Sequence, residues 1–491
     1  MLVAALTLFI VGGTLPIEAI PSRAADVQRT ELIVPPGLPT AFGLGVSSSD
    51  TRWMTESQVP WTYRYQYLTG GVNTGRGWAT WRRDGTFVRD YLQDSEALNA
   101  IPVFTYYQLL VSEPAAGSDE QTKVLSNLAN PRTMASYFAD YSLLLRRLAP
   151  STKTVIVHLE PDLSGYAQQV ALTKDNDASS VPAAVASSGF VGLGDLPNNY
   201  RGYQQALVRL RDQIAPRVLL ATHVSAWSAG HDVALAKDPK LDVEGIAAKT
   251  TAFLSSAGVS ELVFLDPADR DAAFQEKING TQGAHWWDST GQRFPNFNRY
   301  NMYLSFISRQ TKRALVLWQV PVGNTVTRSQ NNTWNHFQDN RVEYWLGNYP
   351  NDGQLRTLAN SGVVGLLFGA GADGNTSFED QSGDGTTNPN PVSANTQVAT
   401  VADDDGGYLR QRAAIYYRSP LGLRGTVATL DAPVASLAAT TTTVVNAPTS
   451  TPTSTTAKAT AKPRSGSRAT KRKKATVVRT TKKRTGSTVR S

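Results

Sequence analysis

The 491-residue sequence contains no cysteine. This absence excludes disulfide bonds, thiolate metal sites and cysteine nucleophiles, so any nucleophile must be an oxygen or nitrogen group. Phosphate-binding signatures are missing too. No G-x-x-x-x-G-K-[ST] segment occurs, and the stretch GLGVSS at 43–48 lacks the third glycine of a dinucleotide-binding turn. The sequence therefore does not support nucleotide binding.

Close metal-ligand spacing is also lacking. The chain has five histidines but no H-E-x-x-H or comparable arrangement. The segment EDQSGDGTTNPN at 379–390 has an aspartate-glycine pattern that could bind calcium, but it lacks the twelve-residue ligand series of a calcium loop. A rim loop is the favoured interpretation of that segment. We expect no metal and no cofactor.

Acidic residues are absent from the C-terminal segment 432–491, which carries 13 of the 48 Lys and Arg. The remaining 35 basic and 40 acidic residues give residues 1–431 a net charge of −5, although the whole chain has +8. The segment is rich in Thr, Ser and Ala and then in Lys and Arg, a composition that predicts disorder. We expect this tail to bind an anionic envelope polymer, and we do not expect nucleic acid to be a partner because residues 1–431 are acidic.

No hydrophobic run is long enough for a comfortable membrane span. The N-terminal run LVAALTLFIVGG is short and is followed by Ser22, Arg23 and Ala24, an arrangement that can precede cleavage. We therefore expect residues 1–24 to be a signal peptide or an uncleaved anchor, and 25–39 to be an extension. The protein is expected to be secreted or associated with the cell envelope.

Eight short apolar or aromatic runs alternate with longer helical patterns between residues 40 and 431. In one such pattern Met134, Tyr137, Tyr141 and Leu148 fall on one helix face. Eight strand-helix repeats predict an α/β fold of the (β/α)₈ barrel type, with the basic tail outside it. The predicted strands lie in the runs 40–48, 63–71, 101–110, 154–163, 217–227, 261–269, 313–323 and 362–371.

The fourth predicted strand, in VIVHLEPDLSGY, ends in ionisable residues. Side chains alternate along a strand, so Val155, Val157 and Leu159 are expected to face the outer helices. His158 and Glu160, with Asp162, are then expected to face the barrel axis. Barrel enzymes keep their chemistry at this carboxyl end of the strands. The alternative for Glu160 is a buried carboxylate paired with Arg64 or a histidine.

Other candidate site residues come from the ends of the remaining strands. On parity and position we expect a substrate groove that is both polar and aromatic. The loop containing HWWDS adds paired tryptophans, on which sugar faces can stack or which plug the barrel top. On the seventh strand either Trp318 or Gln319 points inward. The predicted substrate-binding residues are His158, Arg64, His223, Trp227, His285, Trp286, Trp287, Gln319 and Asp373.

The segment VHLEPDL resembles two families of secreted barrel glycoside hydrolases. It is similar to the fourth-strand Asn-Glu-Pro motif of the large retaining clan, which would make Glu160 the general acid. It is also similar to the Glu-Pro-Asp segment of family 6 cellulases, which would make Asp162 the catalytic-centre carboxylate. The retaining clan has a glutamate nucleophile at the end of the seventh strand, where this chain has Gln319. The additional aspartate of family 6 lies in a cysteine-containing segment, which this chain lacks.

Glycoside hydrolysis needs one protonated and one ionised carboxyl group. The sequence interpretation assigns Glu160 as the acid and Asp266 as the base or nucleophile, with Asp269, Asp288 and Asp373 as other candidates for the second carboxyl. The predicted function is hydrolysis of a polysaccharide. The alternative, favoured by Gln319, is a non-catalytic barrel that binds carbohydrate or cell-wall polymer and is tethered to the envelope by its tail.

Overall fold

The computed structural model describes residues 33–49, 51–369, 371, 373–380, 403–424 and 426–427. The predicted leader at 1–24, the predicted tail at 432–491 and most of the loop 379–390 lie outside these residues. Among the described helices, none is both long and apolar enough to cross a membrane.

Eight parallel strands form a closed barrel in which each strand pairs with the next along the chain and the last pairs with the first. This confirms the predicted (β/α)₈ fold, and every predicted run contains one strand. The first to eighth barrel strands are Gly43–Ser47, Tyr63–Leu68, Ile101–Tyr106, Val155–Leu159, Val218–Val224, Leu262–Leu265, Ala314–Val320 and Val363–Phe368.

Helices cover the outside of the barrel. The longest, Pro131–Leu148, begins with proline after Asn130, whose side chain accepts hydrogen bonds from the next free backbone amides. Its predicted apolar face is buried. The α-helices are Arg52–Glu56, Thr86–Ala97, Glu120–Leu128, Pro131–Leu148, Leu163–Leu172, Tyr200–Ile214, Val243–Ala257, Ala272–Lys277, Phe297–Thr311, Arg341–Leu346, Gln354–Asn360 and Tyr408–Tyr417.

Short elements complete the described chain. Two-residue strands at Ile33–Val34 and Thr426–Val427 pair in parallel outside the barrel. Short 3₁₀ turns occur at Trp78–Thr80, Arg83–Gly85, Ala178–Ser180 and Ala186–Ser188.

The barrel interior is packed with large side chains, so it is a core and not a pore. Tyr63 and Tyr65 point inward from the second strand, with Phe264 and Trp318 from the sixth and seventh strands. Outward side chains such as Val155, Val157 and Leu159 belong to the layer under the helices. The predicted alternation of the fourth strand is therefore confirmed from Val155 to Leu159.

Gly45 of the first strand provides the space that the inward tyrosine needs. A Cβ atom at this position would lie 2.5 Å from Cβ of Tyr63 and 2.8 Å from a methyl group of Leu367. We expect Gly45→Ala to lower the free energy of unfolding by about 2 kcal/mol, because a packed core resists added atoms. Denaturant titration measures this. Gly194→Ala is the matched control, since nothing lies within 4 Å of a Cβ there; equal stability of the two variants would contradict the prediction.

Candidate active site

A cavity of about 540 Å³ opens at the carboxyl ends of the barrel strands. Its size suits a small-molecule or oligomer site. Six consecutive strands contribute to its lining, each through a residue at or just after the strand end. These residues are Tyr67, Tyr107, Asp162, Trp227, Asp266 and Gln319.

Asp162 reaches this cavity because the backbone turns sharply after the fourth strand. Its φ is 69°, a left-handed conformation that aspartate tolerates better than most residues. Ser225 donates a hydrogen bond of 3.2 Å to its carboxylate. Burial raises the pKa of Asp162 to about 6, with the charges of Asp266 and Glu120 acting in the same direction and His223 opposing them. Asp162 can therefore hold a proton in mildly acidic solution.

Asp266, after the sixth strand, ends a chain of polar groups that runs through the barrel core. His223 Nε2 lies 3.4 Å from Asp266 Oδ1. His223 Nδ1 is 3.1 Å from His158 Nε2, and His158 Nδ1 is 3.3 Å from Thr105 Oγ1. Both histidines are buried. We call this set the Thr105–Asp266 relay.

The neutrality of His158 leaves two possible hydrogen-bond directions along the relay, one for each tautomer. Burial, reinforced by the nearby His223, lowers the pKa of His158 well below its usual value. A neutral imidazole has one donor and one acceptor nitrogen. If the threonine hydroxyl donates to His158, then His158 donates to His223, and His223 presents its remaining N–H to Asp266. In this arrangement His223 Nε2 faces the Asp266 carboxylate at 3.4 Å, a contact that does not reach hydrogen-bond geometry.

The seventh strand brings two neighbouring side chains to the cavity. Its pairing with the eighth strand slips between Leu317 and Val320, and Gln319 has a φ of 53°. Because of this irregularity both Trp318 and Gln319 line the cavity, where regular alternation allows only one of them to do so. The Gln319 amide donates to the hydroxyl of Tyr67.

Trp227 and Tyr166 form an aromatic wall of the cavity, with their ring centroids 5.1 Å apart. Tyr166 lies one helical turn after Asp162 on helix Leu163–Leu172. Gly165 makes room for the tryptophan, because a Cβ atom there would lie 2.7 Å from the indole ring. The wall presents flat apolar surface beside the carboxyl groups.

The predicted orientation of Glu160 toward the barrel axis is wrong. Glu160 has a φ of 34°, which breaks the strand alternation one residue after Leu159. Its carboxylate accepts hydrogen bonds from the backbone amides of Gln108 (3.1 Å) and Leu109 (3.2 Å) and does not line the cavity. A buried carboxylate is indeed present, as the alternative interpretation held, but its partners are amides instead of Arg64 or a histidine.

The buried position of Glu160 makes stability depend on pH. Burial raises its pKa from 4.5 to about 8, although the two backbone hydrogen bonds act in the opposite direction. The folded state therefore binds this proton more tightly than the unfolded state. The resulting stabilisation is full below about pH 4.5 and is lost as the pH rises through 8.

We expect wild type to lose roughly 4 kcal/mol of unfolding free energy relative to Glu160→Gln between about pH 5 and pH 8.5. Glutamine stays neutral, so its variant lacks this contribution. Asp271, whose burial raises its pKa to about 8, is present in both proteins and cancels in the comparison. Denaturant titration at the two pH values measures the effect, and parallel pH profiles would refute it.

Arg64 also lies outside the predicted groove. Its neighbours Tyr63 and Tyr65 take the inward positions of the second strand, so Arg64 points toward helix Thr86–Ala97. The guanidinium lies 3.8 Å from the ring centre of Tyr91 and donates to the carbonyl of Ser49 at 3.0 Å. Arg64 therefore joins the barrel wall to its helix and does not line the cavity.

The three residues of the HWW segment have different environments. His285 lines the cavity, and burial lowers its pKa to about 4, with the charge of Arg341 adding to the effect. Trp287 is buried against Phe297 and Tyr300 of a surrounding helix and donates to the carbonyl of Ala234, so it does not line the cavity. Trp286 does not line the cavity. It packs on the cluster around Phe274, and its indole N–H donates to Glu276.

The other candidate carboxyl groups lie in different environments. Asp269 lines the cavity but pairs with Arg270. Asp288 accepts hydrogen bonds from amides of its own loop, chiefly that of Arg293, which lowers its pKa to about 2. Asp373 is exposed and does not belong to the cavity lining. Asp162 and Asp266 are therefore the predicted catalytic carboxyls that the structure brings to one cavity.

Several residues that line the cavity were not predicted from the sequence. Glu120 begins a helix after the third strand, and Asp232 lies in the loop after the fifth strand. Neither residue lies close to a predicted strand end, so the alternation of side chains along a strand could not identify it. Tyr166 was accessible in principle because it stands four residues after Asp162, the spacing of one helical turn. Of the three histidines predicted to bind substrate, His158, His223 and His285, the described cavity lining contains His285 alone.

No protein-family model matches the chain, and no curated protein matches it by sequence. Among solved structures, a β-glucosidase from Thermotoga maritima is 10% identical over 79% of this chain and 99% of that chain, with a TM-score of 0.43. A glycoside hydrolase family 5 enzyme from Prevotella bryantii is 12% identical over 77% and 88%, with 0.38. A family 26 endo-β-1,4-mannanase from Cellulomonas fimi is 9% identical over 75% and 70%, also with 0.38.

Proposed function

We propose that the protein is a glycoside hydrolase that cleaves a polysaccharide in the barrel cavity. The observation that carries the proposal is the presence of two carboxyl groups, Asp162 and Asp266, in one cavity at the carboxyl ends of the fourth and sixth strands. Glycoside hydrolysis requires such a pair, one carboxyl group to protonate the leaving oxygen and another to activate water or attack the sugar carbon.

In this proposal Asp162 is the general acid. Its pKa of about 6 lets it carry a proton in the range where a carboxyl group still gives it up readily. Asp266 acts as the base or nucleophile, the role that sequence reasoning assigned to it. His223 holds its carboxylate in position through the relay. The aspartate of the Glu-Pro-Asp segment thus takes the role first considered for Glu160.

Aromatic residues supply the binding surface. Trp227, Tyr166 and Tyr107 line the cavity beside the carboxyl groups. The apolar faces of sugar rings can stack on such side chains, and the hydroxyls of the tyrosines can hydrogen-bond to sugar hydroxyls. A sugar chain is therefore a better match for this lining than a small charged metabolite.

The alternative remains a barrel that binds carbohydrate without cleaving it. The observation in its favour is Gln319, an amide at the end of the seventh strand, where the retaining clan that the sequence resembles carries its glutamate nucleophile. Gln319 lines the cavity and is bonded to Tyr67. In that case the carboxyl groups serve only to bind hydroxyl groups of the ligand.

Reducing-sugar release from a panel of α- and β-linked polysaccharides, combined with a binding measurement on the same panel, tests the proposal. We expect at least one polysaccharide to be cleaved and Asp195→Asn, a surface variant with a 69% exposed side chain, to cleave it equally well. Binding without release from any polysaccharide would select the non-catalytic alternative.

Export and envelope retention are part of the same proposal and rest on the sequence. The 13 cations of residues 432–491 would bind anionic wall polymer or lipid in a salt-sensitive way. Comparing cell-bound protein with and without this segment at low salt is the test. Equal retention of both forms would contradict the tethering role.

A further inference from the structure

The cavity carries more negative charge than two catalytic carboxyl groups require. Besides Asp162 and Asp266 it is lined by Glu120, Asp232 and Asp269. Only one basic lining residue, Arg270, stands against these five, and it pairs with Asp269. His285 does not offset the excess, because its pKa is lowered to about 4 and the ring is neutral above that pH.

The remaining four carboxyl groups are not neutralised by a basic side chain of the lining. In the part of the chain that the structure describes, no Lys or Arg forms an ion pair with Glu120, Asp162, Asp232 or Asp266. Burial raises the pKa of Asp162 and of Asp232, and the neighbouring charge of Asp266 acts in the same direction on both groups. A bound cation would oppose that effect.

Uncharged features of the lining indicate that the positively charged ligand is a sugar. Trp318 is 3% exposed, lines the cavity and has an indole N–H without a protein acceptor. A buried unpaired donor is costly, and a ligand hydroxyl can satisfy it. The wall of Trp227 and Tyr166 offers a stacking surface and also a face for an ammonium group.

We propose that the substrate is an amine-bearing sugar chain, a polymer of hexosamine units whose amino groups are free and protonated. The ammonium groups bind near Glu120 and Asp232, which leaves Asp162 and Asp266 for the glycosidic bond. An N-acetylated or anionic chain fits poorly, because the first offers no charge and the second is repelled. This inference rests on the proposed carbohydrate site but not on cleavage there.

A set of three β-1,4-linked hexasaccharides that differ only at C2 tests the proposal with the full-length protein. They are the hexamer of glucosamine, its fully N-acetylated form and cellohexaose. We expect calorimetry at about 0.05 M NaCl to show the glucosamine hexamer binding at least about tenfold tighter than the other two. The advantage should shrink strongly at about 0.5 M NaCl, where charges are screened.

Isosteric variants assign the effect to the carboxyl groups. Asp232→Asn keeps the oxygen that accepts from the amide of Ala234 at 2.9 Å, and Glu120→Gln keeps an acceptor for Tyr107. We expect each to weaken binding of the glucosamine hexamer about five- to tenfold and to change cellohexaose binding less than twofold. Asp195→Asn removes a charge at the surface and should change neither.

The outcomes separate the two proposals. Equal or tighter binding of cellohexaose or the acetylated hexamer, or no binding of any hexamer, overturns the amine-bearing substrate. Cleavage of neutral chains without preference also overturns it but leaves the hydrolase proposal intact. Preferred binding of the glucosamine hexamer without cleavage supports the inference and rejects hydrolysis of that chain. Tighter binding of hexalysine than of the glucosamine hexamer would identify a site for basic peptide and overturn the sugar.

Discussion

Replacing Asp162 with asparagine is expected to lower kcat for polysaccharide hydrolysis about 10³-fold, while Kd for the same chain changes little. Asparagine has the size of aspartate and can still accept the hydrogen bond from Ser225, but it has no proton to give to the leaving oxygen. General-acid catalysis contributes factors of about 10² to 10⁴, and loss of the donor removes that contribution. Reducing-sugar kinetics and calorimetry on one substrate measure the two effects.

The pH dependence of activity is an independent test of Asp162 as the general acid. Since Asp162 must be protonated to act and its pKa is about 6, wild-type activity should fall as the pH rises through 6. The residual activity of Asp162→Asn should lack this alkaline limb. Glu160→Gln is the variant to compare with Asp162→Asn, because Glu160 lies two residues before Asp162 but does not line the cavity. More than a third of wild-type kcat in Asp162→Asn would exclude it as the acid.

Replacing His223 with phenylalanine is expected to lower kcat about 10²-fold with a much smaller change in KM. The ring would keep the packing position beside Trp318, whose centroid is 5.7 Å away. Both nitrogens of the relay would be lost, so Asp266 would lose the group that holds it, and positioning partners of this kind are commonly worth about 10- to 100-fold. The proposal therefore gives His223 a positioning role, since it does not itself line the cavity.

Two readouts distinguish this role from simple destabilisation. His223 lowers the pKa of Asp162, so its removal should move the alkaline limb of the activity profile to higher pH. Thr105→Val interrupts only the far end of the relay, 3.3 Å from His158, and should reduce kcat less than threefold. A loss of activity in His223→Phe that disappears when the folded fraction is taken into account would reject the positioning role.

The barrel was predictable because its signals are local and repeated. Each of the eight apolar runs contains one observed strand, and the alternation of Val155, Val157 and Leu159 gave the correct outer face of the fourth strand. These features follow from period-2 burial, which acts within a few residues. The same reasoning placed His158 correctly in the barrel interior.

Site placement failed where the backbone leaves the strand. Positive φ values at Glu160 and Asp162 reverse the alternation, so the first carboxyl group turns to backbone amides and the second reaches the cavity. No period in the sequence announces such a turn. At the seventh strand an irregular register brings both Trp318 and Gln319 into the cavity, an arrangement that parity excludes.

The predicted orientation of Arg64 failed for a different reason, because side chains compete for space in the barrel interior. The alternation of side chains correctly placed Arg64 on the opposite face of the strand from Tyr63 and Tyr65, but it did not say which face lies inside the barrel. The tyrosines fill the interior, and the guanidinium finds carbonyl acceptors and the ring of Tyr91 between strand and helix. That choice depends on tertiary volume and on the helix Thr86–Ala97, which sequence alone does not place against the strand.

The most direct measurement of the central claim is a crystal structure of Asp162→Asn with the oligosaccharide that wild type cleaves fastest. We predict a sugar chain across the cavity, with one glycosidic oxygen within about 3.2 Å of the substituted side chain at position 162 and the adjacent anomeric carbon facing Asp266. A chain bound elsewhere on the protein, or in the cavity with no glycosidic oxygen near position 162, would contradict the proposed catalytic pair.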